Sequence, residues 1–370
     1  MGLLKAVRNS CNDIIEKSYS MGQYYGEVRK IKNENRQRLI STVHWTAEQE
    51  NEFKQYWKKN YGKEISSAWH KLYQSYTGKF NVRYFPEYLF SSKLEPLFDK
   101  NPYNDALEDK NLLHLYTAGG GGVRTPRIFY SRCNGLFRDE NYIAISEDEF
   151  MKGLHDIGEV VIKPTVESGS GRGVRFVRLK NGVDVFEGET LEEVLRQYGK
   201  MDIAIQECVK PAESLKSIYP YAINTFRIMT YILDEKIYAC PAVLRIGRNG
   251  KRLDNAHAGG MFVGVSPNGQ LAECAYTESG EHFTSHPDTN AVFADCKIER
   301  VPLLVDACKK MHAITPQLGT ISWDVTLNNN NEVELLEINT RGGGSWLPQM
   351  ANGEPLFGEN TEKLLSLIRK

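Results

Sequence analysis

No stretch of this chain reaches the 18 or so consecutive apolar residues that a membrane-spanning helix needs, so stable membrane insertion is not expected. An excess of one charge is lacking too. Forty-six basic and 47 acidic side chains leave a formal net charge of -1, which removes the bulk electrostatic case for nucleic acid or an anionic membrane as partner. Paired cysteine spacing is absent: Cys11, Cys133, Cys208, Cys240, Cys274, Cys296 and Cys308 form no CxxC, which argues against a zinc knot and for a reducing compartment. The opening MGLLKAVRNSCNDI has no long apolar core, and Gly2 is not followed by the Ser or Thr of a myristoylation signal. A cytoplasmic location is the expectation. GxxxxGK[ST] is missing, as are HRD and DFG runs, so P-loop and protein-kinase sites are excluded. The four glycines of 119–122 do not have GxGxxG spacing after a strand, and no helix pattern follows them.

What is present is an ordinary globular balance, 41% apolar and 25% charged, on 370 residues. That length suits two or three compact domains. Residues 1 to about 105 read as helical and rich in aromatics. Thr46 with Gln49 makes a capping box. Behind it Phe53, Tyr56 and Trp57 share a helical face, and Trp69, Leu72, Tyr73 and Tyr76 repeat the pattern. Core packing explains these rings better than a docking surface.

The organising stretch is VVIKPTVESGSGRG, residues 160 to 173, followed by VRFVRL. A short apolar run ends on Lys163 and Pro164, then come Ser168, Gly169, Ser170, Gly171 and Gly173. Strand, glycine hairpin and strand make a phosphate cover, because glycine-rich backbone can present its N–H groups to an anion. A plain hairpin with a surface lysine is the alternative. Downstream, IAIQECVK at 203 to 210 reads as a strand. Residues 222 to 233 and 237 to 246 read as two long strands, placing Arg227 and Arg245 among apolar neighbours. An arginine in such a setting needs a partner or a polar cleft. Asn255 and His257 sit in a glycine-containing loop before the next strand. Residues 301 to 311 carry a helical apolar stripe, and 320 to 327 with 332 to 338 read as paired strands.

Asp324 lies in the first strand of that late pair; Glu337 and Asn339 end the second. The latter two are i, i+2 and face the same way in an extended chain. Two carboxylates and an amide give an all-oxygen set suited to Mg²⁺. A solvent-facing sheet edge is the alternative.

The ordered series Asp109-Lys110, Thr125-Pro126, VIKP at 161 to 164, the glycine hairpin, IQECV at 205 to 209, FRIM at 226 to 229, the Asn255/His257 loop, WDV at 323 to 325 and ELLEINTRGG at 334 to 343 resembles the ATP-grasp superfamily. It is most similar to the branch found beside sugar-transfer and polysaccharide genes, over residues 105 to 350. The last motif departs from the usual Asn-x-x-Pro-Gly, ending Asn339-Thr340-Arg341-Gly342-Gly343. The resemblance implies an α+β fold. Its parts would be a helical extension (1–104), a small α/β lobe (105–154), an ATP-grasp lobe with the glycine flap (155–210) and a carboxy-terminal lobe with the metal site (211–370). It implies ATP and Mg²⁺ as cofactors. Lys110 and Lys163 would contact phosphates or the adenine edge, Ser168 to Gly173 would cover the phosphates, and Gln206, Glu207 and Val209 would line the adenine pocket. Arg245, with Arg227 nearby, would stabilise the transferring phosphoryl group. Asp324, Glu337 and Asn339 would hold Mg²⁺. Asn255, His257, Arg341 and Trp346 would surround the acceptor. The implied reaction joins a carboxylate to an amine or amino-sugar through an acylphosphate, in polysaccharide or related biosynthesis. A phosphotransferase and a non-catalytic nucleotide-binding module are the alternatives, and the oligomeric state is open.

Overall fold

A computed structural model describes residues 2–99, 104–117, 122–166 and 171–369, with side chains from Glu16 onward except those of 104 and 105. Ser168, Gly169 and Ser170 of the expected flap lie outside the described residues.

The amino-terminal region folds into α1 (Gly2–Ile31), α2 (Glu34–Ser41), α3 (Ala47–Asn60) and α4 (Ala68–Thr77). The capping box forms: Gln49 N–H donates to Thr46 Oγ1 at 3.2 Å and Thr46 N–H donates to Gln49 Oε1 at 3.0 Å. It satisfies two donors that a helix start leaves orphaned. Phe53, Trp57, Trp69, Leu72 and Tyr73 are buried, so the aromatic stripes are core. A helical run from 87 to 98 follows, widened into a π turn over Phe90–Leu94.

The strands are β1 (Val123–Arg124), β2 (Ile128–Cys133), β3 (Leu136–Asp139), β4 (Ala144–Ile145), β5 (Gly158–Pro164), β6 (Arg175–Lys180), β7 (Val183–Asp184) and β8 (Ile203–Glu207). Then come β9 (Phe226–Leu233), β10 (Lys236–Ala239), β11 (Ala242–Ile246), β12 (Met261–Val265), β13 (Leu271–Tyr276), β14 (His282–Phe283), β15 (Thr320–Leu327) and β16 (Val333–Asn339). They build two sheets. One has seven strands in the order β4-β3-β2-β8-β5-β6-β7; the other has nine, ordered β1-β16-β15-β9-β11-β12-β13-β14 with β10 beside β9. Among the described residues, every pairing of these strands is antiparallel except β1 with β16. The fold is α+β.

Two expectations are corrected. Segments 105–154 and 155–210 do not form separate lobes: β8 sits between β2 and β5, so β2–β4 of the first and β5–β8 of the second share the seven-stranded sheet, while β1 joins the other. And 237 to 246 is not one strand. It breaks at Cys240-Pro241 into β10 and β11, because proline has no N–H for the ladder.

Alternation decides which face does what. On the nine-stranded sheet Phe226, Ile228, Leu244, Trp323 and Val325 pack with the helix Val301–His312. The opposite face starts polar at Arg227 and turns apolar at Met229, Tyr231 and Leu233. Phe53, Trp57 and Leu89 cover that apolar stretch together with Leu364 and Leu365 of the last helix. Leu72 and Tyr73 cover Val243 and Phe262 beside it. The helical region is therefore the missing layer of this sheet. The seven-stranded sheet packs Val160, Ile162, Val177 and Ile205 on the helices Glu147–Leu154 and Leu191–Arg196. No helix among the described residues is long and apolar enough to cross a membrane.

Candidate functional site

The polar end of the sheet face is fixed by register. Arg227 pairs with Asp324 across β9 and β15, Asp324 with Glu337 across β15 and β16, and Ser322 with Asn339. Opposed residues in an antiparallel pair share a face, so the arginine, both carboxylates and the amide come together. The register shifts between Asp324 and Val325, where Glu337 and Leu335 are their partners and Leu336 is the extra residue. That bulge lets the strand carry buried Leu335 and the cleft-facing Glu337 on one short turn of chain.

Asp324 is buried and held by two guanidiniums. Arg227 donates from Nε to Oδ1 at 2.5 Å and from Nη2 to Oδ2 at 3.1 Å. Arg245 donates from Nη2 to Oδ2 at 3.1 Å. Burial opposes ionisation of Asp324, but the two arginines outweigh it and hold the carboxyl below its usual value. Arg227 Nη1 also donates to the Gly343 carbonyl at 3.1 Å. Arg245 donates from Nε and Nη2 to Thr225 Oγ1 at 3.1 and 2.6 Å. Thr225 donates in turn to Asp254 Oδ2, which also takes the Thr225 N–H at 2.7 Å. Asp254 and Thr225 do not stand out in the sequence. Their partnership with Arg245 spans segments with no common period.

Two lysines complete the floor. Lys110 Nζ donates to Glu337 Oε1 at 2.8 Å. Lys163, at the end of β5, is 9% exposed, and its ammonium has neither hydrogen bond nor ion pair among the described residues. Burial, with Lys110 alongside and only Glu337 opposing, pushes its ammonium down to about 7.

A cavity of about 610 Å³ opens between the two sheets. It takes Lys163, Gln206, Glu207, Val209 and Gly171 from the seven-stranded side, and Arg245, Asn255, Asp324 and Glu337 from the other, with Lys110 between. Val161, Phe176 and Leu336 give it apolar walls. Glu207 turns away from a purely ligand-reading role: its Oε1 accepts the Arg127 N–H at 3.0 Å. Arg252, which the sequence reading does not single out, lies over the Phe176 ring at 3.9 Å and donates to Glu159 Oε1 at 2.6 Å. On the hairpin, Gly173 has φ +72°, and a Cβ there would meet Pro164 at 2.8 Å. Glycine is required at that turn. Gly171 closes over Asn255, 3.0 Å from where its Cβ would be.

A second cavity of about 370 Å³ shares Lys110, Arg245, Asn255 and Glu337 with the first. Arg227, His257, Asn339, Arg341 and Trp346 line it too. His257 Nδ1 lies 2.5 Å from Glu278 Oε2, and its ring lies 6.0 Å from that of Trp346. Asn255, His257, Arg341 and Trp346 all line this second cavity, Asn255 the first as well.

For a divalent cation, the described residues contain no cluster of three His, Cys, Asp or Glu side chains. The candidates are Glu337, Asp324 and Asn339 on paired strands. Asp324's oxygens are taken by arginines, while Glu337 is 31% exposed on its side chain and keeps Oε1 on a lysine that a cation would replace. Asn339 Nδ2 reaches the Ser322 carbonyl at 3.5 Å, leaving its amide oxygen for a ligand. The oxygen-only chemistry fits a hard cation, centred on Glu337 and Asn339.

Two antiparallel sheets clasping a cavity, with lysines from one side and paired carboxylates from the other, define an ATP-grasp protein. Within that class the chain belongs to the sugar-transfer associated ATP-grasp family, which matches residues 89–363. No curated protein matches the sequence. Similar solved structures include an L-amino acid ligase from Bacillus licheniformis at 14% identity and TM-score 0.40, covering 72% of this chain and 50% of that one. D-alanyl-alanine synthetase A from Vibrio cholerae is also 14% identical, with TM-score 0.40, covering 70% of this chain and 64% of that one. An N5-carboxyaminoimidazole ribonucleotide synthetase in complex with ADP is 13% identical, with TM-score 0.35, covering 63% and 45%. This chain spans less than two thirds of the length of each.

Proposed function

We propose that the protein is an ATP- and magnesium-dependent ligase, forming ADP and joining a carboxylate to an amine. The observation that carries this reading is Lys163: a buried ammonium with no counter-ion among the described residues, at the floor of a 610 Å³ cavity beside Lys110 and Arg245. Lys110 has Glu337 and Arg245 has Asp324, but a buried ammonium at Lys163 is costly unless a further anion joins it. A triphosphate supplies that anion, and the apolar walls at Val161 and Phe176 suit a base. Glu337 and Asn339, with Asp324 behind them, would hold Mg²⁺, which when bound neutralises phosphate charge.

In the reaction a carboxylate oxygen of the substrate forms a bond to the γ-phosphorus and the bond to ADP breaks. The amine nitrogen then attacks the acyl carbon, phosphate leaves and the ammonium proton is released. Arg245 and Lys163 steady the phosphoryl charge; the protein mainly aligns and neutralises. The segment 167–170 with Gly171 and Gly173 would exclude water from the acylphosphate. The family's sugar-transfer association favours an amine or amino-sugar acceptor in polysaccharide or related biosynthesis. The test is ADP release across paired carboxylates and amines, with mass detection of products. An amide formed in step with ADP supports the reading. A phosphorylated product would make the protein a phosphotransferase, and absence of ATP binding would make it neither.

A further inference from the structure

The second cavity has a wall that the family match does not reach. Gln23, Glu27 and Lys30 of α1, and Glu87, line it, and all four precede residue 89. Glu27 is 5% exposed. Its Oε1 accepts from Lys30 Nζ at 2.7 Å, while its Oε2 is buried with no hydrogen-bond partner among the described residues. Buried carboxylate oxygens ordinarily have donors, and an exception points to a missing one. Glu87 stands behind it, bonded to Arg36 at 3.1 Å. The π turn over Phe90–Leu94 brings Phe90 and Ser91 to the same wall, a distortion often found at functional sites.

Arg227 and Arg245, both held on Asp324, line this cavity as well, with Lys110 and Glu337 beside them. At about 370 Å³ it is at the small end for a ligand site. It therefore offers guanidinium donors to an acid where it borders the first cavity, and on α1 an acceptor in need of a donor.

We propose that this cavity seats the carboxylate substrate, and that the substrate is a small carboxylic acid whose far end carries an ammonium or hydroxyl donor for Glu27 Oε2. The assignment rests on the ligase reading above and adds the substrate class. It also gives the amino-terminal helices a part in the chemistry, since they select the acid while the matched segment activates it.

The test uses the full chain with Mg²⁺ and ATP. ADP release is measured on amino acids, sugar acids and matched acids lacking the far-end amine or hydroxyl. ATP binding is titrated separately. We expect the parent to prefer a donor-bearing acid by about tenfold or more in kcat/KM, as a site built around a polar partner does. Glu27→Gln should raise KM for that acid about tenfold, with the ATP Kd within about twofold. If Glu27→Gln fails a thermal-melt check, Gln23→Ala, on the half-buried rim of the same wall, decides; a rise in acid KM of about threefold is expected. Which donor wins, ammonium or hydroxyl, is read from the amino-acid and sugar-acid arms. The assignment is overturned if matched acids serve equally, if no acid raises ADP release while ATP binds, or if a folded variant leaves the acid KM unchanged. Failure of the parent to bind ATP removes the ligase reading itself, and this proposal with it.

Discussion

Arg227 faces Asp324 across the β9–β15 ladder and grips it with two N–H donors, at 2.5 and 3.1 Å. Planar guanidinium matches planar carboxylate in this way. Arg245 joins the same carboxylate from the next strand, with Asp254 3.8 Å from its guanidinium on the other side, so the polar end of this face is an interlocked set of charges.

Removing that carboxylate's charge leaves Arg227 without its carboxylate partner and Arg245 with only the longer contact to Asp254. Asp324→Asn should destabilise the chain by about 3–5 kcal/mol, the range for breaking a buried ion pair on one side. Urea unfolding of parent and variant measures it. A difference within about 1 kcal/mol would show that the arginines are satisfied elsewhere.

Glu337→Gln keeps an acceptor for Lys110 but removes the charge a cation needs. Magnesium-dependent ADP release should fall by about a hundredfold or more, while the melting temperature stays near the parent's. A turnover rate equal to the parent's would remove Glu337 from the metal set.

Lys163 gives a pH signature. Burial and Lys110 lower its folded value to about 7, so it is mostly neutral above that pH and charged below. Binding a triphosphate favours the charged form. Affinity for ATP should therefore weaken as pH rises from about 7 to 9, by up to about tenfold per unit, and binding at pH 8 should take up close to one proton. Calorimetry in buffers of different ionisation enthalpy reads the proton. Lys163→Met should bind ATP more weakly and without this slope. A parent affinity flat over that range would rule the lysine out.

Glu95 gives a stability signature. Its Oε1 takes the Gly342 N–H at 2.7 Å, its Oε2 is buried without a partner among the described residues, and burial pushes it up to about 8. A folded value above the unfolded one means the fold binds the proton more tightly. The stabilisation is complete below about pH 4.5 and is lost as pH rises through 8, on the order of 1 kcal/mol per unit. Glu95→Gln carries the hydrogen permanently, so its urea midpoint should decline less than the parent's from pH 5 to 8. Parallel declines would mean that Glu95 titrates normally.

Local patterns expose much of the framework. Val325 and Leu327 alternating with polar neighbours mark β15, and the i, i+2 spacing of Glu337 and Asn339 places them on one face. An arginine among apolar strand residues signals a polar cleft, and Arg227 lines one. What stays hidden depends on register between distant strands. That Asp324 answers Arg227 and Arg245, or that Thr225 and Asp254 hold Arg245, is set by pairings no local period records. Pro241 is a readable warning that one long strand has to break. Glu27 lies in a mixed-charge helix where one more acid looks solvated; only the packing of α1 on the helical run 87–98 buries it.

The seven-stranded sheet is nested inside the other. β1 belongs to the nine-stranded sheet, the next seven strands pair only among themselves, and β9 resumes the first sheet. The chain therefore crosses between them twice, near residues 125–127 and again from 208 onward. Tilting the nested sheet severs no strand-to-strand hydrogen bond among the described residues. Side-chain latches such as Arg252 on Glu159, a pair half open to water, offer only slight resistance. A tilt of one sheet against the other therefore leaves both cores intact and opens the cavity between them.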